Sequence, residues 1–180
     1  TRQIWGFNGD RPFALGAAAR VPILAAVAAE HAAGGLDLDA TIAVRDVDLS
    51  PPPSQVADAW PTRQAYTARE LQALARGGDN TALDLLTKRI GGPGAVNGWL
   101  GLRQLVGISV DRYRRQVETE FAGLPSFRAD WKGEAAWRRA LAGVPAEQGA
   151  LAARRRAADP RDTTTPVGMV RLLEAFNTRE

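Results

Sequence analysis

The sequence predicts a mainly α domain around a central apolar helix, with one or two short strands. Three observations carry that prediction. From Ala14 to Ala33 the chain is almost all Ala, Leu, Ile and Val, interrupted by Arg20, Pro22, Glu30 and His31 and closed by Gly34-Gly35. Alanine and leucine are strong helix formers, and glycine just past the end is a common helix stop. Later segments repeat apolar residues at helical spacing between glycine breaks, and two carry explicit start signals, Thr67 with Glu70 and Thr165 with Pro166. A helix apolar nearly all round belongs at the middle of a domain, wrapped by others. Its length of about 20 residues approaches a membrane span. Arg20 and Glu30 inside it argue against one, so no span is expected.

The elements follow in order. Ile4, Trp5 and Phe7 ahead of Asn8-Gly9-Asp10 read as a short strand and turn. After the central helix, Thr41 to Val44 reads as a second short strand. Ser50 to Pro61 is a proline-punctuated loop, with no helix expected before Pro61 ends. Thr67 and Glu70, three apart, form a capping box for a helix that runs to Arg76 and stops at Gly77-Gly78. A second helix begins near Asp79-Asn80 and reaches Ile90, with Leu83, Leu86 and Ile90 on one face. Gly91 to Gly94 separate it from a third, Ala95 to Leu105. Gly107 to Asp162 is the least regular stretch, with helix expected over Asp130 to Ala142 and in the Ala/Arg-rich run Gln148 to Ala158. Thr165 as N-cap and Pro166 at the first helical position open a last helix, whose apolar face is Met169, Leu172, Leu173 and Phe176.

Composition narrows the chemistry. A length of 180 residues with 45% hydrophobic and 24% charged content is that of one globular domain. The chain has no cysteine, so it has no disulfide, thiolate metal site or cysteine nucleophile. A single histidine, His31, argues against a histidine metal cluster or a Ser-His-Asp triad, and neither metal nor cofactor is expected. At a helix C-terminus, His31 suits the dipole rather than catalysis. The formal charge of +3 is local, because Arg112 to Arg161 holds 11 basic and 6 acidic residues. Arg138, Arg139 and Arg154 to Arg156 come without a recognition-helix motif, an RNP motif or an aromatic array, so they read as a solvated face and no nucleic-acid partner is expected. Trp131 and Trp137 are read as packing residues. No signal peptide begins at Thr1, so the chain reads as cytoplasmic, already processed, or an excerpt.

Several segments, in this order, resemble the class A serine β-lactamases and related penicillin-recognising enzymes. Phe13 to Leu24 is similar to the segment in which Ser-x-x-Lys starts the family's central helix. Gly78-Asp79-Asn80-Thr81-Ala82 with Leu85-Leu86 is similar to the Ser-Asp-Asn loop and its helix, and Gly91 to Val96 to the turn beyond it. Asp111-Arg112-Tyr113 resembles the start of the Ω-loop. Asp159-Pro160-Arg161-Asp162-Thr163-Thr164-Thr165-Pro166 resembles its end almost letter for letter. The resemblance implies the helical lobe of the α+β β-lactamase/DD-peptidase-like fold, bacterial and secreted or periplasmic.

Carried over residue by residue, the resemblance puts the nucleophile position at Ala17, its lysine at Arg20, the Ser of Ser-Asp-Asn at Gly78 and the deacylating glutamate at Arg114. Alanine offers no nucleophile, arginine stays protonated, and glycine cannot relay a proton. The resemblance implies a substrate-contacting role for Asn80, a structural role for buried Asp79, and an ion pair of Arg112 with Asp162 closing the Ω-loop neck. Arg20 is read first as paired to a carboxylate, with Asp79 the candidate, and second as an anion site. Ω-loops usually hold about 6–16 residues, yet 49 separate Arg112 from Asp162. One domain, 1–180, with an expanded Ω-loop at about 114–158, is therefore expected.

The leading expectation is a β-lactamase-like pseudoenzyme acting by binding, with a small β-lactam-like or peptide ligand. One alternative is a divergent serine hydrolase whose Lys-Thr-Gly strands lie outside this chain. Another is an interaction module using the basic insert. Absent family strands would leave apolar faces for a second copy or a partner chain.

Overall fold

The computed structural model describes residues 7–177, so Ile4 and Trp5 of the expected first strand lie outside the described residues. The turn after them forms, with the Arg11 N–H donating to the Asn8 carbonyl at 3.1 Å. A two-residue strand β1 (Phe13–Ala14) follows, then a 3-10 turn over Gly16–Ala19 that runs directly into α1 (Arg20–Ala32). Pro22 lies in the first turn of α1, where its missing N–H leaves no intrahelical bond broken. Ile23, Ala25, Ala26 and Val27 are buried, whereas Ala28 and Glu30 to Ala32 are exposed. The apolar rod is therefore enclosed over its first turns and open at its far end.

Strand β2 (Thr41–Ala43) leads to the proline-rich loop, and there the structure departs from expectation. Helix α2 (Gln55–Ala59) forms before Pro61. No proline falls within 54–60, and Ser54 Oγ accepts the Ala57 N–H at 3.0 Å, so the prolines bracket a capped turn instead of breaking it. Strand β3 (Ala65–Thr67) pairs antiparallel with β2, Ile42 opposite Tyr66.

Helix α3 (Ala68–Arg76) starts with the expected capping box: the Glu70 N–H donates to Thr67 Oγ1 at 3.2 Å, and the Thr67 N–H donates to Glu70 Oε2 at 2.8 Å. Helix α4 (Asn80–Arg89) follows with Asp79 as its N-cap. It packs against α1, α2 and α3, and also against α5 (Pro93–Leu102) and α6 (Arg114–Phe121). Every residue from Asn80 to Thr87 is buried, polar and apolar alike. The helix wrapped on all sides is thus α4, and the more apolar α1 lies beside it. Burial of α4 is tolerated because its polar side chains are satisfied. Asn80 donates to the Pro51 carbonyl, Thr81 Oγ1 accepts from the Ser50 N–H and donates to Ser54 Oγ, and Thr87 Oγ1 donates to the Leu83 carbonyl.

Helix α5 begins two residues earlier than expected, at Pro93, and ends short of Leu105 because Gln104 takes a left-handed φ of 56°. Helix α7 (Glu134–Ala142) starts later than Asp130 because Gly133, at φ 78°, breaks it from a 3-10 turn over Ala129–Trp131. Helix α8 (Ala146–Ala158) covers the Ala/Arg-rich run. Strand β4 (Thr163–Thr164) closes on β1, Phe13 opposite Thr164, and brings the two ends of the described chain together. Thr165 caps α9 (Pro166–Asn177) as expected, Oγ1 accepting the Gly168 N–H at 3.0 Å. The apolar face of α9 is only partly covered: Leu172 is buried, but Leu173 and Phe176 remain 51% and 47% exposed. Among the described residues, four strand segments in two ribbons, against one or two expected, still leave the fold overwhelmingly helical.

Candidate functional site

The start of α1, the α3–α4 turn and the start of α6 converge on one cleft of about 390 Å3. Ala17 lies in the 3-10 turn ahead of α1, and Arg20 is the first residue of that helix. Gly78 occupies the turn at φ 108°, a conformation that disfavours other side chains. Its carbonyl accepts from Arg20 Nη2 at 2.8 Å. Asn80 opens α4: its Oδ1 accepts from the same Arg20 nitrogen at 3.3 Å, while its Nδ2 donates to the Pro51 carbonyl at 3.0 Å. Arg114 opens α6, reaches the Gly16 carbonyl with Nη1 at 3.1 Å, and pairs with Glu118 one turn along the helix.

Ala17, Arg20, Asn80 and Arg114, which lie as far apart as 97 positions in sequence, therefore line one cleft with Gly16, and Gly78 meets it through the bond of its carbonyl to Arg20. Pro52, Pro53, Glu118, Phe121 and Arg156 complete the lining. Among the described residues the lining holds no hydroxyl, thiol, imidazole or amine.

Asp79 is not the partner of Arg20, which corrects the first reading of that arginine. Asp79 is buried behind the cleft. Its carboxylate accepts from Ser54 Oγ and the Val56 N–H, each at 2.9 Å, and from the Ala82 N–H at 2.8 Å. It ties α2 to α4, and its acceptor sites are taken by those elements. Among the described residues Arg20 bonds only neutral oxygens, and its buried Nε has no hydrogen-bond partner. Burial first, and then the neighbouring Arg114, lower the Arg20 pKa, against the opposite pull of Glu118 and Asp79.

The start of α6 is held by a residue the sequence reading passed over. Asp84 on α4 accepts the Arg114 N–H at 2.6 Å, the Arg115 N–H at 2.8 Å and the Ser50 hydroxyl at 2.6 Å. Burial pushes its carboxyl up to about 6, against three donors that favour the ionised form. A signal was present in the sequence. Asn80, Asp84 and Thr87 recur at helical spacing on an otherwise apolar element, a polar stripe that must find partners if buried. Glu118 could also be found, four residues after Arg114 on one helix face. Phe121 and Arg156 could not, since their stacking, with 4.5 Å from guanidinium to ring centre, joins α6 to α8.

Arg112 and Asp162 lie apart from the cleft, at the neck of the segment between them. Arg112 Nε donates to Asp162 Oδ2 at 2.6 Å, and the Arg112 N–H donates to Oδ1 at 3.1 Å. The guanidinium does not set both prongs on Asp162; Nη2 lies 3.0 Å from Asp159 and Nη1 pairs with Glu120. Arg161 chiefly, helped by Arg112, pulls Asp159 down to about 2. Trp131 and Trp137 form a cluster with buried Phe127, centroids 5.7 to 6.3 Å apart, packed against the main core. His31 is remote, its Nδ1 2.8 Å from the Leu36 carbonyl. Among the described residues no three His, Asp or Glu side chains gather as metal ligands, and no helix is long and apolar enough to cross a membrane.

Comparison with known proteins agrees with this architecture. The family model described as the beta-lactamase enzyme family matches residues 1–180. A class A beta-lactamase reconstructed as the last common ancestor of Gram-negative bacteria superposes with a TM-score of 0.68 at 25% identity, over 98% of this chain and 53% of its own. An ancestral class A beta-lactamase gives 0.63 at 25% identity, over 94% and 51%. The chromosome-encoded beta-lactamase of Vibrio parahaemolyticus, at 23% identity, gives 0.66 over 95% and 51% and shares the fold. The chain spans about half the length of these solved relatives. No curated protein matches it by sequence.

Proposed function

The chain belongs to the beta-lactamase enzyme family, and within it we propose a non-hydrolytic member that works by binding a ligand in the cleft between α1, α4 and α6. One observation carries this reading: the four positions where the family resemblance implies nucleophile, base, proton relay and deacylating acid hold Ala17, Arg20, Gly78 and Arg114. Acyl transfer needs a hydroxyl with a base in hydrogen-bond reach. Here a methyl group, two guanidiniums and a backbone carbonyl stand instead. Arg20 and Asn80 are the proposed ligand-contacting residues. Asp79 and the Arg112–Asp162 pair hold the frame around them. Residues 114–158 are read as an expanded Ω-loop whose neck is that ion pair.

The test is covalent. Incubation with a fluorescent penicillin should leave the intact mass unchanged, and nitrocefin should hydrolyse at the buffer rate. An adduct of one penicillin per chain would overturn the proposal in favour of a divergent hydrolase.

A further inference from the structure

Arg20 brings to the cleft a guanidinium that no carboxylate of the described residues pairs directly. Both of its hydrogen bonds go to neutral oxygens, its Nε is buried without a partner, and among the described residues no carboxylate lies in ion-pair range of it. Arg114, the second cation of the cleft, already has Glu118. Arg20, Arg114 and Arg156 face the cleft against Glu118, so its lining carries an excess of positive charge, offset in part from behind by buried Asp79. Arg156 adds charge only at the rim, where it is exposed and screened. Beside the Asn80 amide, the wall has an apolar part, from the Ala17 methyl, the rings of Pro52 and Pro53, and Phe121. A volume of about 390 Å3 exceeds what a bare oxyanion fills and falls in the range of small-molecule sites.

Resting on the ligand-binding reading above, we propose that the cleft takes a small molecule carrying one carboxylate on an apolar body, the carboxylate set against Arg20 and Arg114. Guanidinium is the cation best matched to a carboxylate, through parallel N–H donors. The repulsion of Arg114 on Arg20 is unfavourable, and a carboxylate set between them relieves it. Glu118 is then an internal competitor, holding Arg114 through the contact the ligand would make.

The experiment follows the backbone amides of Gly16, Ala17 and Asn80 by NMR in 15N-labelled protein. The probes are benzoate, its neutral counterpart benzamide, and inorganic phosphate, at matched ionic strength. Benzoate should give saturable shifts, benzamide should bind at least about tenfold more weakly, and phosphate should be weaker than benzoate. Arg20→Gln should weaken benzoate binding about tenfold or more, Glu118→Gln should tighten it, and Arg139→Gln on exposed α7 should leave it unchanged. Equal responses to benzoate and benzamide, or equal losses in the Arg20 and Arg139 variants, would overturn the site. Tighter binding of phosphate would overturn the carboxylate assignment. If circular dichroism finds Arg20→Gln unfolded, Glu118→Gln decides, and unchanged or weaker benzoate binding there overturns the proposal. A penicillin adduct would sink the non-acylating reading alone, whatever benzoate does.

Discussion

Two acidic residues, Asp84 and Asp159, give this chain opposite responses to acid, and each response follows from what the carboxyl touches. Asp84 is buried and its pKa is raised to about 6, so between the ordinary carboxylate range and that value the folded chain holds a proton the unfolded chain has lost. Its contribution is fully present below about 4 and disappears as pH rises through about 6. Asp159 is lowered to about 2, so its contribution is present above about 4 and disappears as pH falls towards 2. Urea unfolding between pH 2 and 7 should therefore find wild-type stability falling on both sides of about pH 4 from these two groups. Asp84→Asn should flatten the limb between 4 and 6 and leave the acid limb in place. Arg112 carries the larger single effect. Arg112→Gln leaves Asp162 buried without its counter-ion and should cost about 3–5 kcal/mol in the same assay.

The helices owe their boundaries to short-range chemistry. The capping box of α3 satisfies two backbone donors within four residues, so Thr67→Ala should cost about 1 kcal/mol by chemical denaturation. Thr165 and Asp79 start their helices by the same means, and all three caps stand in the sequence as a polar side chain ahead of an apolar run. Where the sequence misplaced a boundary, a backbone conformation decided it. Gly133 at φ 78° cuts α7 short, Gln104 at φ 56° ends α5, and Ser54 starts α2 between prolines. The burial of α4 was harder to read than that of α1. Its stripe of Asn80, Thr81, Asp84 and Thr87 resembles a solvated face, and partners 29 to 34 positions away from the first three turn it into an interior one.

Across the whole molecule, α6 is anchored on α4 through Asp84, and a second, well-buried seam joins the stretch beyond it to the rest. Phe127 is 2% exposed, and Trp131 meets it edge-on and Trp137 at a tilt, against the main core. Lys132 extends the seam to the Trp60 carbonyl. Trp137→Ala should therefore cost about 2 kcal/mol, below the range for a fully buried tryptophan because this one is half-buried. It should also separate the unfolding of 114–158 from that of the lobe, measured as a second phase in hydrogen exchange. Arg139 on α7 and Arg154 on α8 are exposed and lie outside this seam, and charge reversal at either should leave stability nearly unchanged.

The sequence by itself determined the helical class, the caps and glycine stops, and the family segments that bring Ala17, Arg20, Gly78 and Arg114 into correspondence. Those features depend on residues a few positions apart, or on motifs short enough to read directly. Tertiary structure decided which charge answers which. Asp79 turned to Ser54 and Val56, Arg112 spread over three carboxylates, and Arg20 was left facing neutral oxygens in a cleft shared by three helices. Charge pairing depends on distances of a few ångströms between residues tens of positions apart, which only the packed fold fixes.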